Sequence, residues 1–216
     1  MQVFDAKGLT DGDVDQILSF LRAGGVIGFP TDTAYGLGAD PFHESAVRRI
    51  FEIKGRPETK PILLLVNSIE MVSRLSRVPE TAITLADRFW PGPLTLVLPA
   101  LGNVPRIVTA GTATIGVRWP AAPFAIRMIG RLDTPITATS ANSSGQPAAA
   151  TVQEMQSQLG GQLEMMIDGG PLPAPGGSTV LDLTVEPPLL LREGPVSFDA
   201  LSECLRGNIL RREIGT

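Results

Sequence analysis

Apolar positions along this chain alternate between two periods, about 3.6 and about 2, and the switches between them outline an α/β protein. In DVDQILSFLRAGG, Ile17, Leu18 and Leu21 fall at helical spacing, with Asp11 or Asp13 available to cap the start and Gly24 to end it. VIGF follows as a short strand. SAVRRIFEIKG then places Val47, Ile50 and Phe51 on one helical face, and Gly55 suits a left-handed stop. PILLLV is apolar on both faces and too short for a helix, so it reads as a buried strand. Further helices are expected in SIEMVSRLS, PETAITLADRFW, PFAIRMIGRL, TVQEMQSQLG and SFDALSECL, and strands in LTLVLP, TIGVRWP, PITATSAN, LEMMIDGG, STVLDLT and PLLLREG. No repeat or long linker interrupts the pattern, which predicts one α/β domain over residues 1–216 with a mixed sheet. GGPLPAPGGS fits a loop over a site better than a domain boundary.

Composition narrows the classes. Hydrophobic residues make up 43% and charged ones 19%, enough apolar surface for a core without staples. The single cysteine, Cys204, cannot form an internal disulfide, and with one histidine, His43, there is little material for a zinc site or a Cys/His nucleophile pair. MQVFDAKGL has neither a charged head nor an apolar signal core, and no apolar run approaches the roughly 20 residues of a spanning helix. A cytoplasmic protein without a membrane role is expected. A net charge of −4 argues against coating of nucleic acid over the whole surface.

Charge distribution is more telling than the total. Of three lysines, Lys7, Lys54 and Lys60, two bracket Arg56 within KGRPETK, at a helix end and its following loop. Such a cluster is either a solvated face or a set of cations converging on a polyphosphate. Arg118, near the end of an apolar strand beside Trp119, needs a carboxylate partner from the protein or an anionic ligand. TATSAN and GGS place small hydroxyl residues at strand ends, either as self-satisfied turns or as ligand contacts. TDTAYGLG poses the same choice between a polar turn and the floor of a site, its glycines suiting turns and close approach. Asp32, Asp133, Asp168 and Asp182 are candidate acids or magnesium ligands. GLGADP breaks the dinucleotide fingerprint and no P-loop occurs; Ser140 lacks a nucleophile elbow, and His43 is better placed to cap a helix.

In order, FPTDTAYGLG, KGRPETKPILLLV, FWPGPLTLVL, TIGVRWP, TSAN, GGSTVLDL and LLLREG resemble the YrdC/Sua5 family of L-threonylcarbamoyladenylate synthases, over about Asp13 to Leu205. The resemblance implies a single YrdC-like domain, with a twisted, largely parallel and partly antiparallel sheet flanked by helices and a basic concave face. It also implies synthesis of threonylcarbamoyl-AMP and pyrophosphate from L-threonine, bicarbonate and ATP with Mg2+. This is the first step of t6A modification beside the tRNA anticodon, feeding a downstream transferase. By the same resemblance Thr33, Arg118, Ala138 and Ser178 should meet threonine, and Lys54, Arg56, Lys60, Thr114, Ser140, Asn142 and Arg192 the nucleotide, with Lys54 and Arg56 catalytic. Leu65 stands near where some relatives carry a threonine-contacting histidine, and the chain is expected to be the short form without a second domain. The alternatives are a module that binds tRNA or double-stranded RNA without catalysis, and the carbamoyl-transferring domain of hydrogenase maturation.

Overall fold

The computed structural model describes residues 1–172 and 176–211. The first half runs β1 (Gln2–Asp5), α1 (Asp11–Arg22), β2 (Ile27–Pro30), β3 (Tyr35–Gly38), α2 (Glu44–Lys54), β4 (Leu63–Leu65), α3 (Ile69–Ser73), α4 (Glu80–Phe89) and β5 (Leu94–Pro99). The second runs α5 (Arg106–Thr109), β6 (Thr114–Arg118), α6 (Pro123–Leu132), β7 (Ile136–Ser140), α7 (Val152–Leu159), β8 (Met165–Asp168), β9 (Thr179–Asp182), β10 (Leu189–Arg192), α8 (Phe198–Cys204) and β11 (Leu210–Arg211). Every helix and strand expected from the apolar pattern is present. Pro173–Pro175, the middle of GGPLPAPGGS, lie outside the described residues.

Among the described residues eleven strands form one sheet in the order β1-β8-β2-β3-β7-β4-β6-β5-β9-β10-β11. The pairs β1–β8, β2–β8, β4–β6, β5–β9 and β10–β11 are parallel. β2–β3, β3–β7, β4–β7, β5–β6 and β9–β10 are antiparallel. The sheet is therefore evenly mixed, which corrects the expected parallel majority. It also extends to Gln2 and Arg211, beyond the expected core of residues 13–205 at both ends.

Helices pack in pairs, α1 on α6, α4 on α8 and α2 on α5. α1 buries Val14, Ile17, Leu18 and Leu21, the stripe that its period dictates. Its cap is Thr10, not Asp11 or Asp13: the Thr10 hydroxyl accepts from the Asp13 amide at 3.2 Å, and the Asp13 carboxylate accepts from the Thr10 amide at 2.9 Å. This reciprocal box satisfies two orphan donors at once. His43 occupies the N-cap position of α2 without capping it, because its Nδ1 pairs with Ser45 Oγ at 2.9 Å instead. Gly55 ends α2 at φ +57°, the left-handed stop expected of it.

TDTAYGLG is both a polar turn and part of a cleft wall, and it also holds a strand that the apolar pattern does not show. Tyr35–Gly38 is a fully buried strand, antiparallel to β2, and neither of its glycines has a positive φ. Pro30 pairs with Tyr35, so Thr31–Ala34 make the connecting turn. The Thr31 hydroxyl holds that turn, donating to the Ala34 carbonyl at 2.6 Å and accepting from the Thr33 and Ala34 amides at 3.2 Å each. Gly38 is needed for close packing: a Cβ there would lie 2.7 Å from Phe29 Cε1 and 2.9 Å from Ile136 Cγ2, both on buried side chains. Gly38→Ala is expected to destabilise the fold by about 1–3 kcal/mol, as overpacking in a core does. Chemical denaturation measures it; an unchanged midpoint would mean that the hairpin is not packed against Phe29 and Ile136 in this way.

Candidate active site

A cleft of about 280 Å³ opens over the middle of the sheet. Its walls come from the β2–β3 turn and β3 (Thr31, Thr33, Gly36), the loop after α2 (Arg56, Pro61), and β7 (Ala138, Thr139, Ser140). Arg118 at the end of β6 and Gly177, Ser178 and Arg192 complete it. β3, β7, β4 and β6 are consecutive in the sheet, and this order gathers segments distant in sequence. Seven of the expected site residues thus line one cavity: Thr33, Arg56, Arg118, Ala138, Ser140, Ser178 and Arg192.

Arg118 is the most constrained of them. It is 2% exposed; Nη1 donates to Thr33 Oγ1 at 2.8 Å, and Nη2 lies 3.5 Å from Asp32 Oδ1. Among the described residues its Nε and both Asp32 oxygens are buried without a hydrogen-bond partner. Burial lowers the Arg118 pKa, the Asp32 charge raises it, and Arg192 lowers it further. The guanidinium stays ionised, and its pairing is incomplete. Asp32 supplies a protein carboxylate, one of the two kinds of partner that the sequence leaves open, yet it leaves donor capacity over.

Arg56 donates to Thr139 Oγ1 at 3.2 Å and the Pro61 carbonyl at 3.1 Å. Arg192 donates through Nε to the Ser178 carbonyl at 2.9 Å, while Ser178 Oγ shares a hydrogen bond of 2.7 Å with Thr95 Oγ1. Burial lowers both arginine pKa values. Thr139 is one of the strand-end hydroxyls that TATSAN offers, whereas Thr95 shows in the sequence only as a polar position interrupting LTLVLP.

The KGRPETK cluster separates into three fates. Lys54 is 5% exposed and lies outside the cleft lining, its Nζ bonded to the carbonyls of Ser140 and Asn142 and to Asn142 Oδ1. Burial first, and the Arg56 charge next, push its pKa down to about 8. Arg56 lines the cleft, and Lys60 is exposed outside the lining. Asn142 is likewise buried beneath the cleft, its amide turned to the Ser143 carbonyl at 3.0 Å. Thr114 lies off the lining too, sharing a 3.0 Å hydrogen bond with Thr112, but on the β6 face that carries Arg118. Of the other aspartates, Asp133 pairs with Arg74, Asp182 accepts from Thr184, and Asp168 accepts from Tyr35.

The chain belongs to the Sua5/YciO/YrdC family: the family model, described as telomere recombination, matches residues 19–194. The threonylcarbamoyl-AMP synthase of Pyrococcus abyssi is 44% identical over 187 residues, 86% of this chain and 55% of that protein. The Bacillus subtilis threonylcarbamoyl-AMP synthase is 39% identical over 204 residues, 93% of this chain and 59% of that protein. This chain therefore spans somewhat more than half the length of these two relatives. The crystal structure of P. abyssi Sua5 complexed with L-threonine matches with a TM-score of 0.93 and 39% identity, covering 97% of this chain and 62% of that one.

Tyr35 braces the site from behind. Its hydroxyl donates toward Asp168 Oδ1 (3.2 Å) and the Gly170 carbonyl (2.9 Å), and accepts from the Gly169 amide at 2.9 Å. Burial, chiefly, pushes its pKa up to about 12. A raised native pKa contributes stability that is whole below the unfolded value near 10 and is lost as pH climbs through 12. Tyr35 is the chain's only tyrosine, so tyrosinate absorbance reads it alone. The expected midpoint is about 12; a midpoint near 10 in the folded protein would contradict this placement.

Proposed function

We propose that the cleft converts L-threonine, bicarbonate and ATP into threonylcarbamoyl-AMP and pyrophosphate. The observation that carries this reading is the buried Arg118 guanidinium, anchored to Thr33 with Nε unpaired, which fits an amino-acid carboxylate. The relatives' names and the threonine-bound neighbour support the choice of amino acid. Thr33, Arg118, Ser178 and the Ala138 backbone take the threonine. Arg56, Lys60, Arg192, Ser140 and Thr114 take ATP, with Lys54 and Asn142 acting from beneath the same end.

The chemistry suits a site of cations and hydroxyls. The threonine ammonium and bicarbonate give the carbamate, water and a proton. A carbamate oxygen then forms a bond to the α-phosphorus, and the bond to the bridging oxygen breaks with its electron pair leaving on pyrophosphate. Orientation and neutralisation of charge dominate such a transfer. Arg56 lies beside that leaving group, and partial burial strengthens its field. Among the described residues no three acidic, histidine or cysteine side chains form a metal cluster. Mg2+ enters on the phosphates of the ATP substrate, as is usual for this ion.

The product then serves t6A formation on tRNA by a separate transferase, in the cytoplasm. Among the described residues no helix is long and apolar enough to cross a membrane. No observation favours the reading as an RNA-binding module without catalysis.

Pyrophosphate release tests the reading. It is expected only when threonine, bicarbonate and ATP are all present; release that ignores threonine would overturn it. Calorimetry divides the roles: Arg118→Ala should weaken threonine binding on the order of a hundredfold, with ATP affinity little changed. Arg56→Ala should do the reverse. Equal losses of both ligands in each variant would count against the division.

A further inference from the structure

Lys54 carries the charge of a phosphate ligand but is placed where it cannot readily act as one. An ammonium has three N–H donors. Here they meet three acceptors: the Ser140 carbonyl, the Asn142 carbonyl at 2.9 Å, and Asn142 Oδ1 at 3.2 Å. The backbone closes the same contact, since the Ser144 amide donates to the Lys54 carbonyl at 2.8 Å. Asn142 is oriented for its part, because its side-chain amide donates to the carbonyls of Ser143 and Gln146 and so turns Oδ1 to the lysine. A phosphate could recruit this ammonium only by stripping a buried carbonyl of its donor.

We propose that Lys54 is a positioning residue, which locks the end of α2 onto the segment leaving β7 and thereby sets Ser140 and Arg56 at their spacing across the cleft. This rests on the ATP-binding reading given above. Lys54 closes α2 and Gly55 turns the chain at once, so Arg56, two residues on, reaches the cleft while Lys54 stays beneath it. Ser140, the last residue of β7, lines the cleft while its carbonyl accepts a hydrogen bond from the Lys54 ammonium. One ammonium thus ties the two nucleotide-side segments together without touching the nucleotide.

Charge and shape separate this from a phosphate contact. Lys54→Arg keeps the charge, but its planar fork does not offer three donors from one point. A phosphate ligand would tolerate that exchange; a lock would not. The experiment measures hydrogen exchange over residues 140–146 in ligand-free wild type, Lys54→Arg and Lys54→Met. It also measures the KM for ATP and for threonine in pyrophosphate release.

Faster exchange in both variants is expected, with the ATP KM raised about tenfold or more and the threonine KM within about threefold. Wild-type exchange in the variants, an ATP KM restored by Lys54→Arg, or equal rises for both substrates would overturn the proposal. As a second check, Lys54→Met and Asn142→Ala should be non-additive in their effect on exchange, because each breaks the same lock; additive effects would count against it. If the wild type releases no pyrophosphate, the functional reading fails, and the exchange data still decide whether the lock exists.

Discussion

The guanidinium of Arg118 has been taken out of water with only part of its bonding capacity filled. Thr33 satisfies Nη1, Asp32 stands 3.5 Å from Nη2, and Nε has no acceptor. A buried charge in that condition is costly, and surrounding structure must hold it there. The β2–β3 hairpin supplies much of that hold. Its turn presents Thr33 and Asp32 together, and the Thr31 hydroxyl fixes the turn by bonding its backbone. The alternative, a guanidinium free to relax toward solvent, would lose its aim at a ligand carboxylate.

The rest of the cleft repeats this arrangement at lower cost. Arg56 and Arg192 are each held by neighbouring carbonyls and hydroxyls, and each is drawn partly out of water. Tyr35 ties β3 to the residues that follow β8, and Lys54 ties α2 to the segment that follows β7. Buried polar contacts of this kind specify geometry most firmly where every donor is met, as at Lys54, whereas Arg56 Nε, like Arg118 Nε, is buried without a partner among the described residues. Three arginines therefore face one cavity from three separate segments, with Asp32 close to Arg118. A small zwitterion beside a polyphosphate suits that distribution of charge, and this is the sense in which the fold prepares the proposed reaction.

Much of this was legible in the sequence where side-chain period was the controlling signal. α1, α2 and α6 bury the stripes that their spacing predicts, and β4 and β6 were visible as short apolar runs. β3 was not, because its two glycines and its position after a polar turn mask a strand buried on both faces. β1 buries one residue and β11 none, both at the sheet edges, and α5 is a single turn, so none shows an apolar period. The order of strands rests on contacts distant in sequence, which periodicity does not encode. Lys54 and Arg56 make the same point for the site: two adjacent-looking cations diverge because a left-handed Gly55 lies between them. Family motifs named both, but only the geometry separates one beneath the cleft from one within it.

The central claim is that the unpaired edge of Arg118 exists for a ligand carboxylate. A crystal structure of this chain with L-threonine tests it most directly. The account predicts a carboxylate oxygen within hydrogen-bond distance of Arg118 Nε, with the Thr33 contact kept. Threonine bound through Arg56 or Arg192, with Arg118 Nε still without an acceptor, would contradict it.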